Sequence, residues 1–205
     1  MDDKDMAQLF PALSACRFDA PGEKRLAERL EKKLSHDWLC WFNVPVGPKG
    51  LQPDFVLLHP KIGLLVLEVK DWKMTSLISI TASDVKKYDN GQEKTVINPL
   101  AQARKNAFET VQALEKDSAL TQGAEAYRPG KLIMPYSWGV VLTEITRKEF
   151  EARQLGAAME GTRVICKDEM YETADSSVFE QQVCKMLVHQ FPVHLVPEQI
   201  DRVRY

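Results

Sequence analysis

The chain has 205 residues, of which 44% are hydrophobic and 27% charged, and its formal net charge is −2. These are the proportions of an ordinary globular protein with room for a sizeable core in one domain. The near-neutral balance excludes a strongly basic protein, yet leaves nucleic acid open as a partner, because a local basic strip suffices to hold it.

Cys16, Cys40, Cys166 and Cys184 form no C-x-x-C pair and lack histidines at finger spacing, which argues against a structural zinc site. The acidic start, Met1 to Asp5, is unlike a secretory signal, so reduced thiols in a cytoplasmic protein are expected. The longest apolar run, Ile62 to Leu67, falls far short of the ~20 residues of a membrane span. Nothing in the sequence fixes the oligomeric state.

Periodicity is weak up to Asp19. After Pro21-Gly22, Leu26, Leu30 and Leu34 recur every four residues among charges, predicting an amphipathic helix of about 14 residues with Glu23 in its first turn. Trp38 to Val46 reads as a strand and Gly47 to Gly50 as a turn. Asp54 to Leu58 and Leu64 to Val69 are strands joined by His59 to Gly63. The second is almost wholly apolar, which suits a central strand covered on both faces. A strand near Leu77 to Ile80 and the hairpin cue Asn90-Gly91 follow, with Thr95 to Ile97 as the return strand.

Asn98-Pro99 opens a helix with Asn as cap and Pro at its first position. Leu100, Ala103, Ala107, Val111 and Leu114 give that helix an apolar face, and Asp117 to Gly130 reads as a loop. Leu132 to Met134 and Trp138 to Leu142 are strand-like, broken by Pro135. Thr146 to Leu155 has a capping-box start, Arg163 to Cys166 is a short strand, and Pro192 ends a last helix around Val178 to Leu187. One domain is expected over 1–192, with 193–205 as a tail or linker. The intermixed strands and helices predict an α/β class with a central mixed β-sheet.

The chemistry concentrates at Asp54 and at Glu68-Val69-Lys70. Period two puts Glu68 and Lys70 on one face of their strand, with Val69 opposite. Charges in a buried strand are costly unless paired or bound to metal. If Leu58 pairs with Leu64 in an antiparallel hairpin, Asp54 falls opposite Glu68, with Cβ atoms roughly 4.5–5.5 Å apart. Two carboxylates so placed repel, unless a cation lies between them or one takes a proton. Hard oxygen donors favour Mg²⁺ or Mn²⁺, and the Val69 backbone carbonyl would add a ligand. Lys70 would orient a water or neutralise charge on a phosphate. The bland alternative for Glu68-x-Lys70 alone is an ordinary ion pair at a strand end.

These pieces together resemble a known family. Gly22-Glu23, Gln52-Pro53-Asp54-Phe55-Val56, His59-Pro60-x-x-Gly63, Glu68-Val69-Lys70-Asp71-Trp72 and Asn98-Pro99-x-x-Gln102 are similar to the motifs of the nuclease-related domain (NERD), grouped with the PD-(D/E)XK nucleases. The resemblance spans roughly Ala20 to Leu142, with no member of the set missing. It implies a restriction-endonuclease-like core and Mg²⁺-dependent cleavage of DNA. Asp54 and Glu68 would be metal ligands, Lys70 the catalytic lysine, Glu23 an assisting acid and Gln102 part of the site's lining. Leu195 to Ile200 resembles the opening of a superfamily 1 DNA helicase, in which a glutamine contacts adenine, and so implies a fused helicase partner. The bland alternative is a polar tail.

Other residues have two readings each. Glu23 also suits the dipole of its own helix, and Gln102 can be merely solvated. Trp72 can stack on a base or cap the core. Lys86-Lys87 and Arg104-Lys105 can line an approach to the site or simply be solvated. The competing function is a non-catalytic DNA-binding module that positions the fused helicase.

Overall fold

The computed structural model describes residues 6–48, 50–188 and 191–204. The acidic start and Lys49 of the predicted turn lie outside the described residues. Six strands form one mixed sheet: β1 (Gln8–Phe10), β2 (Leu39–Phe42), β3 (Phe55–His59), β4 (Gly63–Lys70), β8 (Tyr136–Leu142) and β9 (Val164–Cys166), side by side in that order. β2–β3 and β3–β4 are antiparallel pairs, whereas β1–β2, β4–β8 and β8–β9 are parallel pairs. A second sheet holds β5 (Leu77–Ile80), β6 (Asp84–Asp89) and β7 (Gln92–Ile97). Helices cover both faces of the main sheet, giving the expected α/β fold with a restriction-endonuclease-like core.

The period-two alternation of β4 builds both layers. Leu65, Leu67 and Val69 join the core under α1 (Pro21–Lys33) and α4 (Ser176–Lys185), with Leu26, Leu30, Phe179 and Val183. Leu64 and Val66 face the other way, against Ala107 and Val111 of α2 (Pro99–Leu114). β4 is therefore covered on both faces, as its unbroken apolar run requires. The next residue on the α2 side is Glu68.

Asn98 caps α2 by accepting the Leu100 N–H at 2.8 Å. Its amide also donates to the Thr81 carbonyl at 2.7 Å, which ties the helix to the smaller sheet. α3 (Arg147–Ala152) carries the expected capping box between Thr146 and Glu149 but stops short of Leu155.

Several expectations are corrected. β1 arises in a stretch with weak periodicity, because a three-residue edge strand is too short to show a period. β2 ends at Phe42 rather than Val46, where Asn43 turns to a positive φ of 51°. Leu132 makes only an isolated bridge to Thr121 and does not extend β8. α4 ends at Lys185, well before Pro192.

The segment after Pro192, expected as a connector, packs on the domain. Leu195 is buried among Leu39, Leu58 and Met134, and its N–H donates to the Pro60 carbonyl at 3.0 Å. Ile200 and Val203 of α5 (Pro197–Arg204) lie against the same core. Among the described residues, no helix is long and apolar enough to cross a membrane.

Candidate nuclease site

The β3–β4 ladder has Leu58 opposite Leu64 and Phe55 opposite Leu67, the register expected from spacing. His59 also pairs with Gly63, so the connection is tighter than the five residues predicted. Continued by one residue, this register sets Asp54 across from Glu68, although β3 itself begins at Phe55.

Asp54 is held at both ends. Its carbonyl accepts the Asn43 N–H at 3.0 Å, where β2 turns away. Its Oδ2 accepts the Val69 N–H at 2.6 Å. A strand residue's N–H and C=O point to the same side, so the Val69 carbonyl lies along the Asp54 edge of β4.

Glu68 is fully buried. Lys70 Nζ lies 3.1 Å from its Oε2, and Asn106 Nδ2 donates to its Oε1 at 2.6 Å. Burial, and then the negative charge of Asp54, push the Glu68 carboxyl up to about 7, while Lys70 and Asn106 pull the other way. Near neutral pH this carboxyl therefore exchanges a proton readily, and a cation beside it would favour the ionised form.

Glu23 sits at the start of α1, where Oε2 accepts the Asp19 N–H at 3.0 Å. Burial raises its pKa, the Asp19 N–H lowers it, and the charge of Asp54 raises it further. It is thus within electrostatic reach of the pair while spending one oxygen on its own helix start. Gln102 is partly buried one turn before Asn106, on the same helical face. Trp72 packs against the core around Ile145 and Phe150, with Lys87 Nζ 5.8 Å from its ring centroid.

Two groups were not singled out from the sequence. Asn106 had a signal: it is a polar residue of modest helix propensity inside the apolar stripe of Ala103, Ala107 and Val111. Asp71 follows Lys70 directly, and its role depends on contacts distant in sequence. Its Oδ2 accepts the Gly22 N–H at 2.8 Å, and its Oδ1 accepts the Thr143 hydroxyl. A side chain at Gly22 would overlap Asp71 Oδ1, so the glycine permits the contact that brings Glu23 beside the end of β4.

The NERD profile, described as nuclease-related domain, matches residues 19–130, more than half of the chain. The chain belongs to the nuclease-related domain family. The matched span of this NERD domain contains Glu23, Asp54, Glu68, Lys70, Gln102 and Asn106. No curated protein and no solved structure gives a significant match. The family match does not reach the helicase-like tail, where both ends of the Gln199 amide are engaged within the domain. Gln199 Nε2 donates to the Ala119 carbonyl at 3.1 Å, and its Oε1 accepts the Val196 N–H at 3.1 Å.

Among the described residues, no three His, Cys, Asp or Glu side chains gather closely enough to hold a metal ion by themselves. Two carboxylates and a backbone carbonyl still suit a hard cation that keeps several of its waters. The like-charge pressure on Glu68 is what such an ion would relieve.

Proposed function

We propose that this NERD domain is a metal-dependent nuclease that hydrolyses phosphodiester bonds in DNA. The observation that carries the reading is the meeting of Asp54, Glu68 and Lys70 at the end of β4. Glu68 is paired with Lys70 at 3.1 Å, and Asp54 is anchored to the intervening Val69 at 2.6 Å.

In this reading Asp54, Glu68 and the Val69 carbonyl hold Mg²⁺ or Mn²⁺. Such an ion, when bound, polarises a phosphoryl oxygen and lowers the pKa of a water. Asn106 keeps the Glu68 carboxylate aimed by filling one of its oxygens. Lys70 offers a cation to the phosphate as negative charge builds there, a preorganised contribution in a site of low dielectric. Asp71 fixes the start of α1, so that Glu23 adds negative charge near Asp54. Gln102 and Trp72 are the proposed substrate contacts flanking the centre.

The competing proposal is a DNA-binding module that positions a fused helicase through the tail. The Gln199 contacts weigh against it, because an amide engaged at both ends is not poised for adenine. Cleavage of single-stranded and duplex DNA with added Mn²⁺, by wild type, Asp54→Ala and Lys70→Ala, tests the nuclease reading. Cleavage by wild type alone is expected. Equal cleavage by all three proteins would assign it to another site or a contaminant.

A further inference from the structure

The face of the main sheet that carries Glu68 also carries a row of aromatic side chains. In the β4–β8 register Val140 pairs with Glu68, Trp138 with Val66 and Tyr136 with Leu64. Trp138 and Tyr136 therefore extend from the carboxylate pair along the same face, the first only one pleat back. β9 covers β8 only at Val140, Val141 and Leu142, so the Tyr136–Trp138 half has no outer strand. A groove of about 910 Å³ opens there, bordered by Phe108 of α2 and by Tyr127 of the following loop. It does not include Asp54 or Glu68, but runs toward them through Trp138.

The rings form a fixed platform. Phe108 lies 5.7 Å from the Trp138 centroid and 6.1 Å from that of Tyr136. The buried Arg163 guanidinium stands 4.4 Å from the Trp138 ring centroid and donates to Ser137 Oγ and the Trp138 carbonyl. The exposed Arg104 sits 5.3 Å from the Phe108 ring centroid and 5.8 Å from that of Trp138. Tyr127 is 97% exposed, which is unusual for so large a ring.

The charge at the rim is basic. Arg128 and Lys131 line the groove and are exposed. Glu115 offsets part of this by pairing with Lys131 at 3.3 Å while also accepting the Leu132 N–H. A groove lined by aromatic rings with guanidinium groups at its edge suits a polymer that alternates flat bases with phosphates. Duplex DNA buries its base faces, so the platform selects unpaired bases.

We infer that this groove is a binding track for single-stranded DNA. Bases stack on Phe108 and Tyr127, with Trp138 packed against Phe108 as its support, and Arg104 holds the phosphate on the way to the carboxylate pair. The choice of DNA over RNA rests on the proposed nuclease function, whereas the stacking track itself does not.

The test is anisotropy titration of the full chain with a labelled dT oligonucleotide of about 15 nucleotides. EDTA is present, so that cleavage plays no part. Wild type is expected to bind dT more tightly than a duplex of equal length. Phe108→Ala, Tyr127→Ala and Arg104→Ala are each expected to weaken dT binding by at least about fivefold. Tyr127→Ala changes only an exposed loop residue, so its result stands even if Phe108→Ala fails to fold. Unchanged affinity in Tyr127→Ala and Arg104→Ala, a preference for duplex, or tighter binding of rU than dT would overturn the inference.

The two proposals fail separately. Aromatic-dependent dT binding without Mn²⁺-dependent cleavage would sink the nuclease reading and leave the track. Cleavage with no role for these rings would do the reverse.

Discussion

Asn106 on α2 donates to the buried carboxylate of Glu68 on β4 at 2.6 Å, joining a helix and a strand that lie 38 residues apart in the chain. The bond serves both the fold and the site, because Glu68 has no access to solvent and its ionised form depends on donors the protein supplies. Asn106→Ala removes one of them. A loss of about 1–3 kcal/mol in unfolding free energy is expected at neutral pH. The deficit should shrink in acid, where Glu68 carries a proton and has less need of the donor. Urea denaturation at both pH values checks this.

Glu68 gives stability a pH dependence of defined sign. Its folded-state pKa is raised by burial to about 7 from the ordinary glutamate value of 4.5. Between those values the folded chain keeps a proton that the unfolded chain has lost, so its contribution to stability falls as pH rises. By about pH 8 the expected loss is roughly 3 kcal/mol relative to acid, and it levels off above that. Glu68→Gln cannot titrate. Compared in EDTA, the variant should gain on wild type as pH rises from about 5 to 8. Parallel stability curves would show that Glu68 is not the group responsible.

The same carboxyl should control the pH profile of cleavage. A metal ion and a proton compete for Glu68, so activity at limiting Mn²⁺ should rise with pH through about 7. More Mn²⁺ should move the midpoint to lower pH. A midpoint indifferent to Mn²⁺ would count against Glu68 as a ligand.

The Gly22–Asp71 contact should behave as a coupled pair. Gly22→Ala forces a methyl group into the space of Asp71 Oδ1, with an expected cost of about 1–3 kcal/mol. Asp71→Ala loses the Gly22 and Thr143 hydrogen bonds but opens that space. The double variant should therefore be less destabilised than the sum of the two single variants, as a double-mutant cycle would show. Additive losses would mean that the two residues act independently.

Ending the chain at residue 192 removes Leu195, Ile200 and Val203 from the α2-side core. The shortened protein should lose at least about 2 kcal/mol, as after truncation of a buried leucine. Unchanged stability would return this segment to the role of a linker.

The sequence by itself determined the local parts of the site. The apolar run from Leu64 to Leu67 made β4 central, and period two placed Glu68 and Lys70 together on its α2 face. Spacing admitted the register that brings Asp54 across from Glu68 as one of the few a short hairpin allows, and the β3–β4 ladder selects it. Asn98-Pro99 likewise marked the start of α2. Those features rest on contacts close in sequence. Tertiary structure decided the rest: that Asn106 reaches Glu68, that Asp71 ties down Gly22, and that Leu195 is core rather than linker. It also drew Phe108, Tyr127 and Trp138 to one groove on the face of Glu68. Each of these joins segments whose separation carries no periodic signal, so only the packing of helices on the sheet specifies them. The three residues of the proposed centre were legible in the sequence; the surroundings that raise the pKa of Glu68 were not.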